Sequence, residues 1–318
     1  MDPVMTLSVL VTTFGRAAYL DRCIDSLFGQ DRPPDEIVIV TRIGDVPTER
    51  FVTGLIASYR GPIKLVHAVV DEPGVLAANR VGITRVTGDI LSFIDDDATA
   101  RADWLRRIEI HFLRDKQLGA VGGRDAQHNG GISVDEPTGR VGQIYWYGRI
   151  VGNNHKVFRG VCEADHLKGV NMSFRRGLIP PFDELILGNA HYYEMDLCFA
   201  VKRNGYHILY DGDLIVDHYI DAPRYLPGDE VKGDPYREYY IHHNRVYVML
   251  KNLGLFSQIL FVLYSFLFEG FFNVVRLASG LSALTPADLK SIYRGKLAGL
   301  ADYWRVGRFS SMRKLNRL

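Results

Sequence analysis

Four short runs of β-branched and apolar residues, at 6–12, 36–41 (EIVIVT), 64–70 (KLVHAVV) and 89–94 (DILSFI), constrain this chain most. Each is too continuously apolar to leave one face in water, so they read as buried parallel strands. Between the first two, Leu20, Cys23, Ile24, Leu27 and Phe28 recur at three- and four-residue spacing, which predicts a helix with one apolar face. Similar helical segments fill the next two gaps, around 47–59 and 75–86. Strand alternating with helix gives right-handed βαβ units and an open sheet whose ligand site lies at the carboxyl ends of its strands. The expected fold is therefore α/β, a Rossmann-like, mostly parallel sheet with flanking helices. Residues just after each strand become site candidates.

Beyond 94 the alternation loosens. A helix is expected at 102–115, a strand at 119–123, a Gly-rich irregular stretch to about 160, a strand at 170–175, a helix at 194–204 stopped by Gly205, and a strand at 206–210. This suggests a nucleotide-binding half (1–100), a second half of the same domain that holds metal and acceptor (101–235), and a C-terminal helical region (236–318). With 47% hydrophobic and 24% charged residues the chain is neither disordered nor collagenous nor a coiled coil. Cys23, Cys162 and Cys198 form neither a disulfide framework nor a metal-binding pattern. That usage, and a start unlike a signal peptide, point to the cytoplasm.

Residues 255–275 are the most hydrophobic stretch, but Gln258, Ser265, Glu269, Asn273 and Arg276 fall at helical spacings and make one narrow polar stripe. An amphipathic helix of this kind either lies in a membrane interface or packs its apolar face on the protein. From Arg276 to Leu318 there are nine bases against two acids, so the overall charge of +1 conceals about +7 in the tail and −6 before it. An apolar helix followed by a basic tail predicts peripheral contact with an anionic membrane through 255–318, on the inner face of the cell membrane. The competing expectation is a core helix followed by a solvated basic helix. The overall balance gives no sign of a nucleic-acid partner.

The strongest chemical signal is Asp95-Asp96-Asp97, directly after a predicted strand. Three adjacent carboxylates at the end of a buried strand repel one another unless a cation neutralises them, and Mg²⁺ or Mn²⁺ is the natural partner. A solvated acidic turn capping the next helix is the plainer alternative. The loop Thr12-Thr13-Phe14-Gly15-Arg16 follows the first strand and offers hydroxyls, an aromatic ring and a guanidinium to a ligand. No dinucleotide-binding glycine fingerprint and no P-loop is present. Glu194 and Asp196, at the start of a predicted helix, are candidates for a general base. His218 could complete a metal sphere as neutral imidazole.

Two known patterns use these aspartates. Asp95-Asp96-Asp97-Ala98-Thr99 and Gly212 to Asp217 fit the short motifs of haloacid dehalogenase-like phosphatases, in which Asp95 would be phosphorylated. That motif belongs on a domain's first strand, whereas here about three βα units precede it. The second pattern spans nearly the whole chain. LSVLVTTFGRAAYLDRCIDSLFGQDRPPDEIVIV, GVLAANRVGITRVTGDILSFIDDDA, DHLKGVNMSFRR, YYEMDLCFAVKRNGYHILYDGDLIVDHY and YYIHHNRVYVMLKN occur in that order. Together they resemble the family 2 glycosyltransferases, which have the A-type nucleotide-sugar fold.

The resemblance implies an inverting, metal-dependent transfer of one sugar from a nucleotide-diphosphate sugar to a glycan or lipid-linked acceptor. Thr12, Phe14 and Arg16 would approach the nucleotide, and Arg80 the diphosphate. Asp97 would be the most direct ligand of Mn²⁺ or Mg²⁺, Asp95 or Asp96 would lie nearer the ribose, and His218 would join the metal. Gly169, Asn171 and Met172 would form the loop beneath the acceptor, and Glu194, with Asp196 as the alternative, would be the base. Thr41 stands where many members carry Asp after the second strand. No QxxRW motif follows, which argues against a processive synthase. A non-catalytic nucleotide-sugar-binding protein is the remaining class.

Overall fold

The computed structural model describes residues 5–133, 135–188, 190–222, 235–279 and 285–315. Its first part runs β1 (Leu7–Thr13), α1 (Ala17–Phe28), β2 (Glu36–Arg42), α2 (Val46–Ser58), β3 (Lys64–Val70), α3 (Val75–Ile83) and β4 (Ile90–Asp95). β1 pairs in parallel with both β2 and β4, and β2 with β3, as the four apolar runs predict. Nearly every residue of β1 and β2 is buried, which explains why these runs do not alternate. α1 lays Leu20, Cys23, Ile24 and Leu27 against the core. At the start of α2 the Asp45 carboxylate accepts from the Thr48 amide, with Pro47 in the first turn.

The chain continues through β5 (Ala98–Ala100), α4 (Trp104–Arg114), β6 (Leu118–Asn129), β7 (Ile132–Ser133), β8 (Gln143–Ile144), β9 (Ile150–Val151), β10 (Val161–Glu163), β11 (Met172–Arg175), α5 (Tyr193–Arg203) and β12 (His207–Tyr219). The main sheet has the order β10-β12-β6-β11-β4-β1-β2-β3, with β5 added to β12 and β7 to β6. β11 runs antiparallel between β4 and β6, and β6 and β12 are parallel. Both β6 and β12 are much longer than expected. Each carries Gly and Asp, which weaken the strand signal in sequence, and β12 absorbs the interruption by a register shift between Asp211 and Ile215.

Asn171 ties this half together. Its amide donates to the carbonyls of Arg124 (3.1 Å) and Leu214 (2.8 Å), and its oxygen accepts from the Trp104 indole at 2.9 Å. β6 approaches β12 so closely that a Cβ on Gly123 would lie 1.8 Å from the Leu214 carbonyl oxygen.

The molecule divides into two compact units, one of Met1–Gln143, Val151–Pro181 and Leu197–Tyr225, the other of Ile144–Ile150, Phe182–Asp196 and Leu226–Leu318. The second is built on α6 (Pro235–Asn252), α7 (Leu255–Leu263), a π turn at Tyr264–Phe268, α8 (Glu269–Ser279) and α9 (Pro286–Leu315). α6 and α9 touch through Gly295 and Gly299, where a Cβ would meet the Tyr239 and His243 carbonyl oxygens at 2.3 and 2.4 Å.

Leu255–Ser279 is long and apolar enough to cross a membrane, yet only 17% of its most apolar window is buried. Much of its polar stripe points inward. Gln258 donates to the Leu250 and Leu253 carbonyls, Ser265 is buried, and Glu269 accepts from Arg245. Arg276, the last member of the stripe, is exposed. Leu255, Ile259, Leu263, Leu267 and Phe271 are each about half or more exposed. Of the basic tail, Lys296 is wholly buried. Arg317 and the side chains of Arg308, Arg313 and Lys314 lie outside the described residues.

Two glycine substitutions should have opposite signs. Gly123→Ala meets backbone and should cost about 3 kcal/mol, the upper end for overpacking. Gly54→Ala, in α2 with nothing within 4 Å of the new Cβ, should stabilise by about 0.5–1 kcal/mol. Denaturant unfolding of both variants checks the pair.

Candidate active site

Parallel pairing sets Thr12 of β1 beside Asp95 of β4, and Thr13 beside Thr41 of β2. The loop after β1, the end of β2 and the three aspartates therefore share one sheet edge. Gly15, at φ 71°, turns that loop, and its amide donates to Asp45 at 2.5 Å. The turn brings Arg16 onto the aspartates. Its guanidinium meets Asp96 at 2.5 Å and Asp97 at 2.6 Å. Phe14 lies under the Arg42 guanidinium, 5.0 Å from the ring centre. Thr41 is buried, its hydroxyl 2.8 Å from His67 Nε2. Arg80 is half-buried in the last turn of α3, with no ion pair among the described residues.

The far end of β12 reaches the same aspartates. Antiparallel pairing with β5 puts His218 opposite Ala98, and the Tyr219 amide donates to the Asp97 carbonyl at 2.9 Å. His218 Nε2 lies 3.4 Å from Asp97 Oδ1, and its Nδ1 2.8 Å from Asp125. Ligand atoms of Asp95, Asp97 and His218 all fall within 4.8 Å of one another. Burial alone would lower the His218 pKa, but the Asp125 and Asp97 carboxylates hold it at about 10.

The aspartates respond differently to one environment. Burial pushes Asp96 up to about 7 against the pull of Arg16. Asp95 is raised by burial and by the charge on Asp97. Burial also acts upward on Asp97, yet His218 and Arg16 hold it below the usual range. The buried Asp97 Oδ1 has no hydrogen-bond partner among the described residues. Two carboxylates, one imidazole and an unsatisfied oxygen suit a divalent cation such as Mn²⁺ or Mg²⁺.

Gly169 lies in the turn closed by the Asn171 amide on the Lys168 carbonyl. Asn171 and Met172 are wholly buried, so their side chains shape that turn from beneath rather than project from it. Glu194 and Asp196 stand in the first turn of α5. Glu194 is half-buried, whereas Asp196 is buried and bonded by Lys251 (2.8 Å) and Asn252 (2.9 Å). Just before them Ala190 and Tyr192 adopt φ values of 65° and 75°, rare for residues with a side chain. Asp217, the second aspartate of the phosphatase motif, is held by Arg101 and His128.

A family model described as glycosyl transferase family 2 matches residues 8–173, more than half of the chain. The chain belongs to that family. It is a family 2 glycosyltransferase of the nucleotide-sugar class, and its sheet with flanking helices is the A-type fold. A glucosyl-dolichyl phosphate glucuronosyltransferase of Haloferax volcanii is 25% identical over 227 residues, 67% of this chain and 69% of the relative. A mannosyltransferase from Pyrobaculum calidifontis, solved with GDP-Man and Mn²⁺, superposes with a TM-score of 0.58 at 16% identity, covering 95% of this chain and 88% of that one. GalNAc-T7, solved with UDP, GalNAc and Mn²⁺, gives 0.59 at 15% identity over 78% of this chain. The chain spans about half, 48%, of that longer protein.

Sequence reasoning missed three residues. Asp125 orients His218, Lys168 places positive charge near both Asp95 and Asp125, and Asp45 fastens the Gly15 turn. Asp125 and Asp45 stand in no recognisable motif, whereas Lys168 lies within the block DHLKGVNMSFRR, just before Gly169. Asp125 could have been found only through the pairing of β6 with β12.

If Asp95, Asp97 and His218 hold one ion, Asp97→Asn should abolish Mn²⁺ binding measured by calorimetry. Asp125→Asn, which removes only the group orienting His218, should weaken it about ten-fold.

Proposed function

We propose that this chain is an inverting, metal-dependent glycosyltransferase that moves a single sugar from a nucleotide-diphosphate sugar to an acceptor hydroxyl, in cell-envelope glycan or glycolipid synthesis. The observation that carries it is the convergence of Asp95, Asp97 and His218 at the sheet edge of a family 2 domain. Mn²⁺ or Mg²⁺ bound there supplies positive charge for the diphosphate leaving group. The imidazole in the set favours Mn²⁺, since Mg²⁺ prefers oxygen.

The chain's own groups do the rest. Arg16 aligns Asp96 and Asp97 and pulls the pKa of both downward against burial. Thr12, Phe14, Thr41 and Arg80 surround the nucleotide, and Gly169, Asn171 and Met172 support the acceptor. Glu194 removes the acceptor proton as the hydroxyl attacks the anomeric carbon from the face opposite the leaving group, which inverts that carbon. Asp196, consumed by Lys251 and Asn252, is better suited to anchoring α5 than to exchanging protons.

Peripheral membrane contact belongs to the same reading. Turning Gln258, Ser265 and Glu269 inward leaves an apolar outer face on Leu255–Ser279. Such a face suits the boundary of an anionic lipid leaflet. The relative from Haloferax volcanii is named for a dolichyl-phosphate-linked substrate, which agrees with a lipid-linked acceptor here.

Three outcomes test these assignments. Glu194→Gln should lower kcat about 10²–10⁴-fold, the usual worth of a general base, with the product anomer assigned by NMR. Asp196→Asn should act mainly on the melting temperature, and near-normal transfer by Glu194→Gln would sink the base assignment. Ile259→Glu should reduce sedimentation with phosphatidylglycerol vesicles about ten-fold at low salt.

A further inference from the structure

The second unit contains an open cleft of about 1380 Å³ between the Tyr147–Arg149 loop, α6 and the Leu255–Ser279 segment. That exceeds the ~300–1,000 Å³ common for small-molecule sites. One wall is apolar. Leu263, Leu267, Phe268, Phe271 and Phe272 line it and are 48–66% exposed.

The floor is charged. Arg245 makes two 2.9 Å bonds to Glu269, and the buried Lys296 ammonium approaches the same carboxylate at 3.5 Å. Two cations thus share one half-buried anion. The buried Arg245 Nε and His242 Nδ1 have no hydrogen-bond partner among the described residues. Arg149 and Arg276 line the same cleft. The other acid there, Glu238, faces Arg237 at 3.4 Å and His242 at 3.6 Å. The cleft therefore has an unpartnered guanidinium donor and positive charge at one end and apolar surface along its side.

An anion with several acceptor oxygens attached to a long apolar chain meets both demands.

We infer that this cleft holds the phosphate and adjoining chain of a single-tailed lipid phosphate, the membrane-anchored carrier of the acceptor sugar. The inference rests on the glycosyltransferase reading for its acceptor role, but not for binding itself. It separates two uses of lipid: Leu255, Ile259, Val274 and Val275, exposed and outside the cleft, meet the bilayer, while the cleft selects one lipid from it.

The test is calorimetry on the full chain with decyl phosphate below its micelle concentration, without donor or metal. Decanol, inorganic phosphate and dihexanoylphosphatidylglycerol serve as comparisons. Decyl phosphate should bind about ten-fold or more tightly than any of the three. The double variant Arg149→Gln, Arg276→Gln should lose about ten-fold, and Leu267→Asp should weaken the tail independently. Both arginines and Leu267 are exposed, and melting temperatures without ligand verify folding. Equal binding of inorganic phosphate, or decyl phosphate binding unchanged in both variants, would overturn the site. Equally tight dihexanoylphosphatidylglycerol with the same arginine dependence would assign the cleft to bulk phospholipid and overturn the carrier role. Sugar transfer to a water-soluble acceptor by a wild-type protein that ignores decyl phosphate would remove the cleft and leave the transferase standing. Binding of decyl phosphate by a protein that transfers no sugar would do the reverse: the cleft would stand and its acceptor role would fall.

Discussion

Asp95, Asp96 and Asp97 bring three carboxylates to the end of a buried strand, and the surrounding structure is arranged to tolerate them. Burial alone would neutralise all three. Arg16 and His218 oppose it, one from the loop after β1 and the other from the end of β12. Arg16 arrives because β1 pairs with β4 in a register that sets Thr12 against Asp95. His218 arrives because β12 continues past its register shift to pair with β5. The site therefore needs the β1–β4 pair and the late β12 in place together. Without a bound cation, the imidazolium between Asp97 and Asp125 supplies the positive charge that the cluster requires.

This dependence explains what could be read in advance. β1, β2 and β4 announce themselves because their burial on both faces leaves continuous apolar runs, and the aspartates because adjacent carboxylates after such a run are costly. β3, by contrast, is an apolar edge strand that is only partly buried. The extents of β6 and β12 could not be read. Their later halves contain Gly123, Asp125, Gly212 and Asp213, which weaken strand signals, and they are held by pairing with each other and by Asn171. Asp125 and His218 are 93 positions apart, and no local pattern encodes a contact that follows from register. Thr41 is a similar case. Its substitution for the aspartate common in the family could be seen, but its bond to His67 on the neighbouring strand could not.

The C-terminal region shows a different limit. Periodicity identified the amphipathic helix, but an amphipathic pattern carries no sign: it separates two faces without saying which one is inside. Here Gln258 and Glu269 find partners in the adjoining helices, and Ser265 is buried with its backbone carbonyl accepting from Lys296, so this part of the polar stripe is the inner one. Lys296, counted in the sequence as part of a basic tail, belongs to that interior. The tail's apparent charge therefore overstates what it can present to a lipid surface.

An inward polar stripe is energetically unusual in water. Each large apolar side chain left outside forgoes about 1.5–3 kcal/mol of burial, while Arg245, Glu269 and Lys296 pay a desolvation cost that their mutual pairing offsets only in part. A soluble helix with this sequence would gain by rotating half a turn. The cations of α6 and α9 hold it in the other orientation, because Arg245 and Lys296 would lose the carboxylate they share if Glu269 turned outward. The excess positive charge lining the cleft and the apolar face of Leu255–Ser279 thus have one origin. On the lipid-phosphate reading proposed above, one membrane-borne ligand would bring an anion to the polar interior and a chain to the apolar wall.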